Sequence, residues 1–184
     1  MHVLAISGSL RRDSYNTMLL RAAEELIPAG IELELYDNLA AVPPYDADAD
    51  GEAPDAVIDL RERLAAADAV LIATPEYNSS IPGQLKNALD WASRPFPDNA
   101  LWGKTAAVIG ASTGAYGAVW AQAELRKVLG AIGARVIESG VAVTRASERF
   151  DANGRLVDAR SRASLAGVLH ELTATAQPVG ARAA

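Results

Sequence analysis

Short runs of consecutive apolar residues alternate along this chain with longer segments whose apolar positions recur every three or four residues. The runs His2–Ser7, Ile31–Tyr36, Ala69–Thr74, Thr105–Ala111 and Arg135–Val143 read as strands. Three of them, containing VLAI, AVLIA and AAVI, are apolar at successive positions, the pattern of strands covered on both faces. Helical patterns fall at Tyr15–Ile27, Pro54–Ala66, Gly83–Ala92, Tyr116–Ile132 and Ala159–Thr175. In the fourth, Ala118, Ala121, Leu125, Val128 and Ile132 form a stripe; in the last, Leu165, Val168, Leu169 and Leu172 do.

Strand–helix alternation throughout predicts right-handed crossovers and a parallel sheet covered by helices on both faces. Five strands point to a doubly wound α/β sandwich of three layers with the flavodoxin-like order 2-1-3-4-5. The length of 184 residues suits a single domain, expected over 1–176, with Gln177–Ala184 as a disordered tail. Asp37–Ala53 is an acidic, Pro- and Ala-rich connection. Ligands of such sheets bind beyond the carboxyl ends of the strands, near the point where strand order reverses. That selects three loops: Gly8–Ser14, Pro75–Pro82 and Ser112–Gly117.

Composition narrows the chemistry those loops can carry. With no cysteine, thiol nucleophiles and thiolate metal sites are excluded, and two histidines leave little for a metal or an imidazole acid–base pair. Seventeen basic against 23 acidic residues give a net charge of −6, which argues against nucleic acid as a partner. No apolar run reaches membrane-spanning length, and Met1–Ile6 lacks the basic and long apolar regions of a signal peptide, so the expected location is cytoplasmic.

In the first loop, the Ser9 and Ser14 hydroxyls, the Arg11 guanidinium and the Asn16 amide gather at a helix N-terminus, a place suited to a phosphate. The plainer alternative makes Ser14 an N-cap and leaves the arginines solvated. In the second, Pro75 and Pro82 stiffen a loop able to hydrogen-bond the edge of a planar heterocycle, with Tyr77 against its face. A rigid turn with Tyr77 packed locally is the alternative. The third, Gly110–Gly117, is rich in small residues, as where a backbone approaches a ligand closely.

Several short motifs compete. Gly110-Ala111-Ser112-Thr113-Gly114 spells G-x-S-x-G between a strand and a helix, and Asp151 or Asp158 and then His170 follow in the chain order of a serine hydrolase. His170, however, lies opposite the apolar stripe of its helix and should face solvent. G-x-G-x-x-G is absent, and Gly103-Lys104-Thr105 precedes a strand instead of following one, so neither dinucleotide loop nor P-loop is expected. Asp46–Gly51 opens like a calcium loop but has Val57 where the twelfth-position carboxylate belongs. Trp91 and Trp102 read as core or subunit contacts.

Taken together, the chain resembles the NADPH-dependent FMN reductases of the flavodoxin-like proteins, a family that includes quinone, chromate and azo-dye reductases. Three ordered blocks carry the resemblance: G-S-L-R-x-x-S-x-N at Gly8–Asn16; P-E-Y-N with P-G-x-L-K-N-A-x-D-W at Pro75–Asn78 and Pro82–Trp91; and a glycine-rich stretch before A-Q-x-x-L-R at Ser112–Gly117 and Ala121–Arg126. It implies bound FMN and NAD(P)H as co-substrate. Ser9, Arg11, Ser14 and Asn16 would hold the phosphate, with Tyr15 beside them. Pro75, Glu76, Tyr77 and Asn78 would lie along the ribityl chain and isoalloxazine, with Ser112 and Gly114 near the ring. It also implies a homodimer or homotetramer, and ping-pong transfer from NAD(P)H to quinones, azo compounds, free flavin or metal oxyanions. No catalytic side chain and no metal are then needed, and backbone donors from Glu76–Ser79 would stabilise reduced flavin. A small serine hydrolase using Ser112 and a non-catalytic flavodoxin-type electron carrier are the competing classes. The chain departs from the family at Ala118-Val119-Trp120, where members often carry Gly-x-Arg, which leaves the choice between NADPH and NADH open.

Overall fold

β1 (His2–Ser7) opens the chain and is followed by α1 (Tyr15–Leu26), β2 (Glu32–Tyr36), α2 (Asp55–Ala66), β3 (Ala69–Ala73) and α3 (Gly83–Ala92). β4 (Thr105–Ala111), α4 (Val119–Ile132), β5 (Arg135–Val143) and α5 (Ala159–Thr175) complete the alternation. The structure, a computed structural model, describes residues 1–178; positions 179–184 of the expected tail lie outside the described residues. Every strand pairing is parallel, in the order β2-β1-β3-β4-β5. This is the flavodoxin-like order expected from the strand–helix alternation.

Side-chain alternation along the central strands makes the three layers. Val3 and Ala5 of β1, with Leu71 of β3 and Ile109 of β4, face Leu19 and Leu20 of α1 and Leu165 and Leu169 of α5. Leu4 and Ile6, with Val70, Ile72 and Val108, face Leu60 and Leu64 of α2, Leu85 and Leu89 of α3, and Leu125 and Leu129 of α4. Both faces of β1, β3 and β4 are therefore buried, which is why their sequences read as unbroken apolar runs.

Element boundaries match the sequence reading to within a residue, with one exception. The helical pattern expected from Tyr116 begins only at Val119, because Gly117 and Ala118 both adopt left-handed backbone conformations (φ 60° and 61°) that no helix can contain. The long connection after β2 is pinned by α3. Gln84 Nε2 donates to the Leu39 and Val42 carbonyls, Trp91 Nε1 to Pro43, and Asn87 binds both Tyr45 N and the Pro43 carbonyl. Trp91 is thus a core residue, whereas Trp102 is half exposed beside Phe96. Asp46 caps the short 3-10 turn Ala47–Glu52 through Asp48 N, the work its carboxylate does here.

Two cations serve the scaffold, Lys104 buried and Arg126 half-buried. The Lys104 ammonium donates to the Ala65 and Ala67 carbonyls at the C-terminus of α2, so the P-loop look-alike is a helix cap at the end of the sheet away from the three loops. Arg126 of α4 donates to the Ile137, Ser139 and Val108 carbonyls, where the β4–β5 register shifts between Ala106↔Val136 and Val108↔Gly140. Its guanidinium supplies the donors the broken ladder lacks, and burial pushes its pKa down. No described helix is long and apolar enough to cross a membrane.

Candidate functional site

β1, β3 and β4 lie side by side, so the loops leaving their carboxyl ends meet although they are far apart in sequence. They enclose a cleft of about 120 Å³. Ser9, Arg11, Ser14, Tyr15 and Asn16 line it from the first loop and helix, Pro75, Glu76 and Tyr77 from the second, and Ser112 from the third. Of the residues singled out from sequence, Asn78 and Gly114 lie outside this lining, and Ala111 and Thr113 belong to it without having been expected. Beside the cleft opens a more apolar hollow of about 370 Å³, formed by Gly8, Leu10, Arg11, Tyr77, Pro82, Gly83 and Gln84. Arg11 and Tyr77 wall both. A hollow of about 460 Å³ on the outer edge of β5 is larger still, but its Arg149 and Asp158 side chains are bonded to each other, and Asp158 also to Ser161.

The first loop is built around a capped helix. Ser14 Oγ accepts from Asn16 N (3.2 Å) and Thr17 N (3.4 Å), and Ser9 Oγ accepts from Arg11 N (3.4 Å). Each hydroxyl keeps its own proton to donate. Arg11 is exposed, lines the cleft and forms no ion pair among the described residues. Tyr15 packs its ring on Phe150 at 5.4 Å. Asn16 lines the cleft and is also held by the scaffold. Its amide is buried, its Oδ1 accepts from Ala111 N (2.9 Å), and its Nδ2 donates to the Ala111 carbonyl (3.0 Å). It ties α1 to the end of β4, so its oxygen and one N–H are already committed to the backbone.

The second loop is a tight reverse turn. Tyr77 and Ser80 exchange both backbone hydrogen bonds (3.0 and 3.1 Å), and the two residues between them, Asn78 and Ser79, have φ of 53° and 62°. Positive φ at both central positions is the signature of the type I′ turn. Because Tyr77 N–H is spent on Ser80, the outward-facing backbone donors expected from Glu76–Ser79 reduce to those of Glu76, Asn78 and Ser79. Tyr77 itself stands half exposed between cleft and hollow.

Glu76 has a role that sequence gave no sign of. Its Oε2 accepts from Trp120 N (3.0 Å) and Ala121 N (3.1 Å), capping α4 from another loop. α4 needs this partner, since its own N-cap position is Ala118, whose side chain has no acceptor.

The third loop hangs between β4 and β5. Ser112 N donates to Val143 O, Ala146 N to Ser112 O and Arg145 N to Gly114 O, and Ser112 Oγ accepts from Gly114 N (3.1 Å). A Cβ on Gly110 would sit 2.9 Å from the Thr74 carbonyl, so the first glycine of G-x-S-x-G is demanded by strand packing. The rest of the hydrolase constellation does not assemble. His170 is exposed on α5, Asp158 caps that helix at Ser161 N, and Asp151 accepts from Asn153 N and Arg155 N. Hydrogen bonding from Ser161 holds the Asp158 carboxyl below the ordinary carboxylate range.

Comparison with known proteins agrees with this geometry. Residues 1–148 match the model of the NADPH-dependent FMN reductase family. An NAD(P)H-dependent FMN reductase of Pseudomonas aeruginosa is 46% identical over 162 residues, covering 87% of this chain and 86% of that protein. The chain belongs to the NADPH-dependent FMN reductase family. A 2-hydroxy-1,4-benzoquinone reductase of a Burkholderia species is 39% identical over 163 residues, 88% of each chain. Among solved structures, the flavoenzyme NAD(P)H:acceptor oxidoreductase FerB of Paracoccus denitrificans superimposes with a TM-score of 0.85 at 37% identity, covering 94% of this chain and 95% of its own.

Within this FMN reductase family member, the third shared block divides into loop and scaffold. Gln122 is buried and donates to the Gly117 carbonyl (2.9 Å), and Arg126 fills the β4–β5 irregularity. The A-Q-x-x-L-R stretch therefore supports the loop from behind and does not line the cleft.

Proposed function

We propose that the chain binds FMN across the cleft and its adjoining hollow and oxidises NAD(P)H, with a quinone as electron acceptor. The net exchange is NAD(P)H + H⁺ + quinone → NAD(P)⁺ + hydroquinone, two electrons and two protons passing to the acceptor. The observation that carries this reading is the convergence of Ser9, Arg11 and Ser14 with Pro75–Tyr77 and Ser112 around one polar cleft that opens into an apolar hollow. The donor set suits a phosphate: two hydroxyl protons, the exposed Arg11 guanidinium and the positive end of α1. The apolar hollow suits a planar ring, and the relatives named FMN and quinone reductases favour the same assignment.

Bound FMN would supply the hydride-accepting chemistry that no side chain here provides. The chain's own residues have three tasks. Ser9, Arg11 and Ser14 hold the phosphate, and Asn16 fixes α1 against β4 so that they stay aimed. The Glu76, Asn78 and Ser79 N–H groups offer fixed donors where negative charge would develop. Donor and acceptor would use the same open side of the cleft in turn, a ping-pong order. Residues 1–176 would act as one cytoplasmic domain within a homodimer or homotetramer. Azo compounds, free flavin and metal oxyanions are acceptors of the same open site.

The test is retention of FMN on purification, with NAD(P)H oxidised at catalytic protein concentration when benzoquinone is added. Arg11→Ala removes one charged phosphate contact, and FMN affinity should fall by about 1.5–3 kcal/mol, roughly 10- to 150-fold. Unchanged affinity would overturn the phosphate assignment. Retention of FMN with no turnover would make the chain an electron carrier.

A further inference from the structure

An exposed aromatic pair at the start of α4 has no task in the scaffold described so far. Tyr116 and Trp120 meet edge to face with ring centroids 4.8 Å apart, and they are 62% and 49% exposed. Large aromatic rings on a surface usually answer to something that covers them. The pair adjoins the cleft without lining it: the Trp120 backbone N–H is held by the carboxylate of cleft-lining Glu76, and Tyr116 follows the loop that contributes Ser112 and Thr113.

What could cover the pair is constrained by charge. The N-terminus of a helix is ordinarily a place for an anion. Here the N–H groups of Trp120 and Ala121 are taken by Glu76, so an incoming oxyanion finds them spent and meets a carboxylate instead. One turn further on, Glu124 is exposed and adds a second negative charge beside Trp120. At the rings themselves two carboxylates therefore disfavour an anion, while an uncharged planar ring gains the edges and faces of two aromatics.

We propose that the Tyr116–Trp120 pair is the acceptor-selecting surface of the site, favouring uncharged planar aromatic acceptors such as quinones over oxyanions such as chromate. The proposal rests on the reductase reading above and adds which residues make the choice. Trp120 is a positioning residue for the acceptor: it orients the ring and takes no part in electron bookkeeping.

Two readouts separate this from the reading beneath it. The first needs no turnover. In the FMN-loaded Trp102→Phe protein, Trp91 is buried and Trp120 is the exposed tryptophan. Adding 1,4-naphthoquinone without NAD(P)H should quench its emission saturably, and further replacement Trp120→Ala should abolish the saturable part. The second is steady state. Trp120→Ala should raise KM for naphthoquinone about tenfold with kcat within about twofold, Trp120→Phe should recover most of the loss, and chromate reduction should change less than twofold. Quenching that stays linear in quinone, or KM unchanged in Trp120→Ala, would overturn the proposal. So would a change of oligomeric state in Trp120→Ala by light scattering, since the pair would then be covered by a second copy of the chain. If the protein retains no FMN and oxidises no NAD(P)H, the reductase reading fails, and the same quenching measured on the FMN-free Trp102→Phe protein still decides whether the pair holds a quinone.

Discussion

Ala118 sits in a left-handed conformation (φ 61°, ψ 34°) with its side chain buried, one residue after Gly117 at φ 60°. The two positions look alike in dihedral angle but differ in what surrounds them. For Ala118, relief of about 1–2 kcal/mol of left-handed strain by Gly is offset by about 0.8 kcal/mol for the lost buried methyl and about 0.5–1 kcal/mol of added backbone entropy. Ala118→Gly should leave stability within about 0.5 kcal/mol by urea unfolding. A Cβ at Gly117 would lie 2.7 Å from the Ala142 carbonyl carbon, a backbone atom that cannot swing aside. Gly117→Ala should therefore cost at least about 2 kcal/mol in the same assay, because strain and overlap add. Equal effects of the two changes would mean that the left-handed backbone alone sets the cost. None of this was legible beforehand: the apolar stripe includes Ala118 in regular helical spacing, and periodicity carries no information about the sign of φ.

At the scale of elements, α4 is held by partners that come from elsewhere in the chain. Its N-terminal donors are met by Glu76 and its middle is bound through Arg126 to β4 and β5. Glu76→Ala removes the acceptor for two N–H groups and should cost about 1 kcal/mol, the ordinary price of losing an N-cap. Glu76→Gln keeps a single oxygen able to accept from both and loses only the charge at the helix N-terminus. Its cost should be about 0.3–1 kcal/mol and should shrink with added salt. Urea unfolding at low and high salt checks the order of the two variants. Elements themselves were readable in the chain because strands buried on both faces and helices buried on one leave distinct apolar patterns. Ser9, Arg11, Ser14 and Pro75–Tyr77 could be nominated because the fold places the ends of β1, β3 and β4 together. The Glu76 cap and the Asn16–Ala111 bonds join residues 44 or more positions apart, and no local pattern records such pairings.

Across the whole molecule, titratable groups far from the cleft set the pH limits of the fold. Hydrogen bonding from Arg63 lowers the pKa of Asp59, and bonding from Ser161 lowers that of Asp158. Carboxylates with folded pKa values below the unfolded ones stabilise the protein above the ordinary carboxylate range, and that contribution disappears as pH falls through the folded values. The alkaline limit comes from Tyr36 at the end of β2. Burial first, and then the charge of Asp59 and its pull on the hydroxyl, raise its phenol pKa well above the ordinary value, and among the described residues the hydroxyl has no partner at close hydrogen-bond distance. With the folded pKa raised, its contribution is complete below pH about 10, where the unfolded phenol begins to ionise, and is lost as pH rises toward the folded value. Tyr36→Phe removes both the titration and the hydroxyl that acts on Asp59. At neutral pH the variant should lie within about 1 kcal/mol of the parent, since the lost hydroxyl makes no close hydrogen bond. Above pH 10 its unfolding midpoint should fall less steeply than the parent's, while the Asp158 part of the acid limb stays in place and the Asp59 part weakens, because the Tyr36 hydroxyl helps to lower the Asp59 pKa. A parallel alkaline decline in parent and variant would assign that limit to another group. A loss of more than about 1 kcal/mol at neutral pH would mean that the hydroxyl is bonded after all.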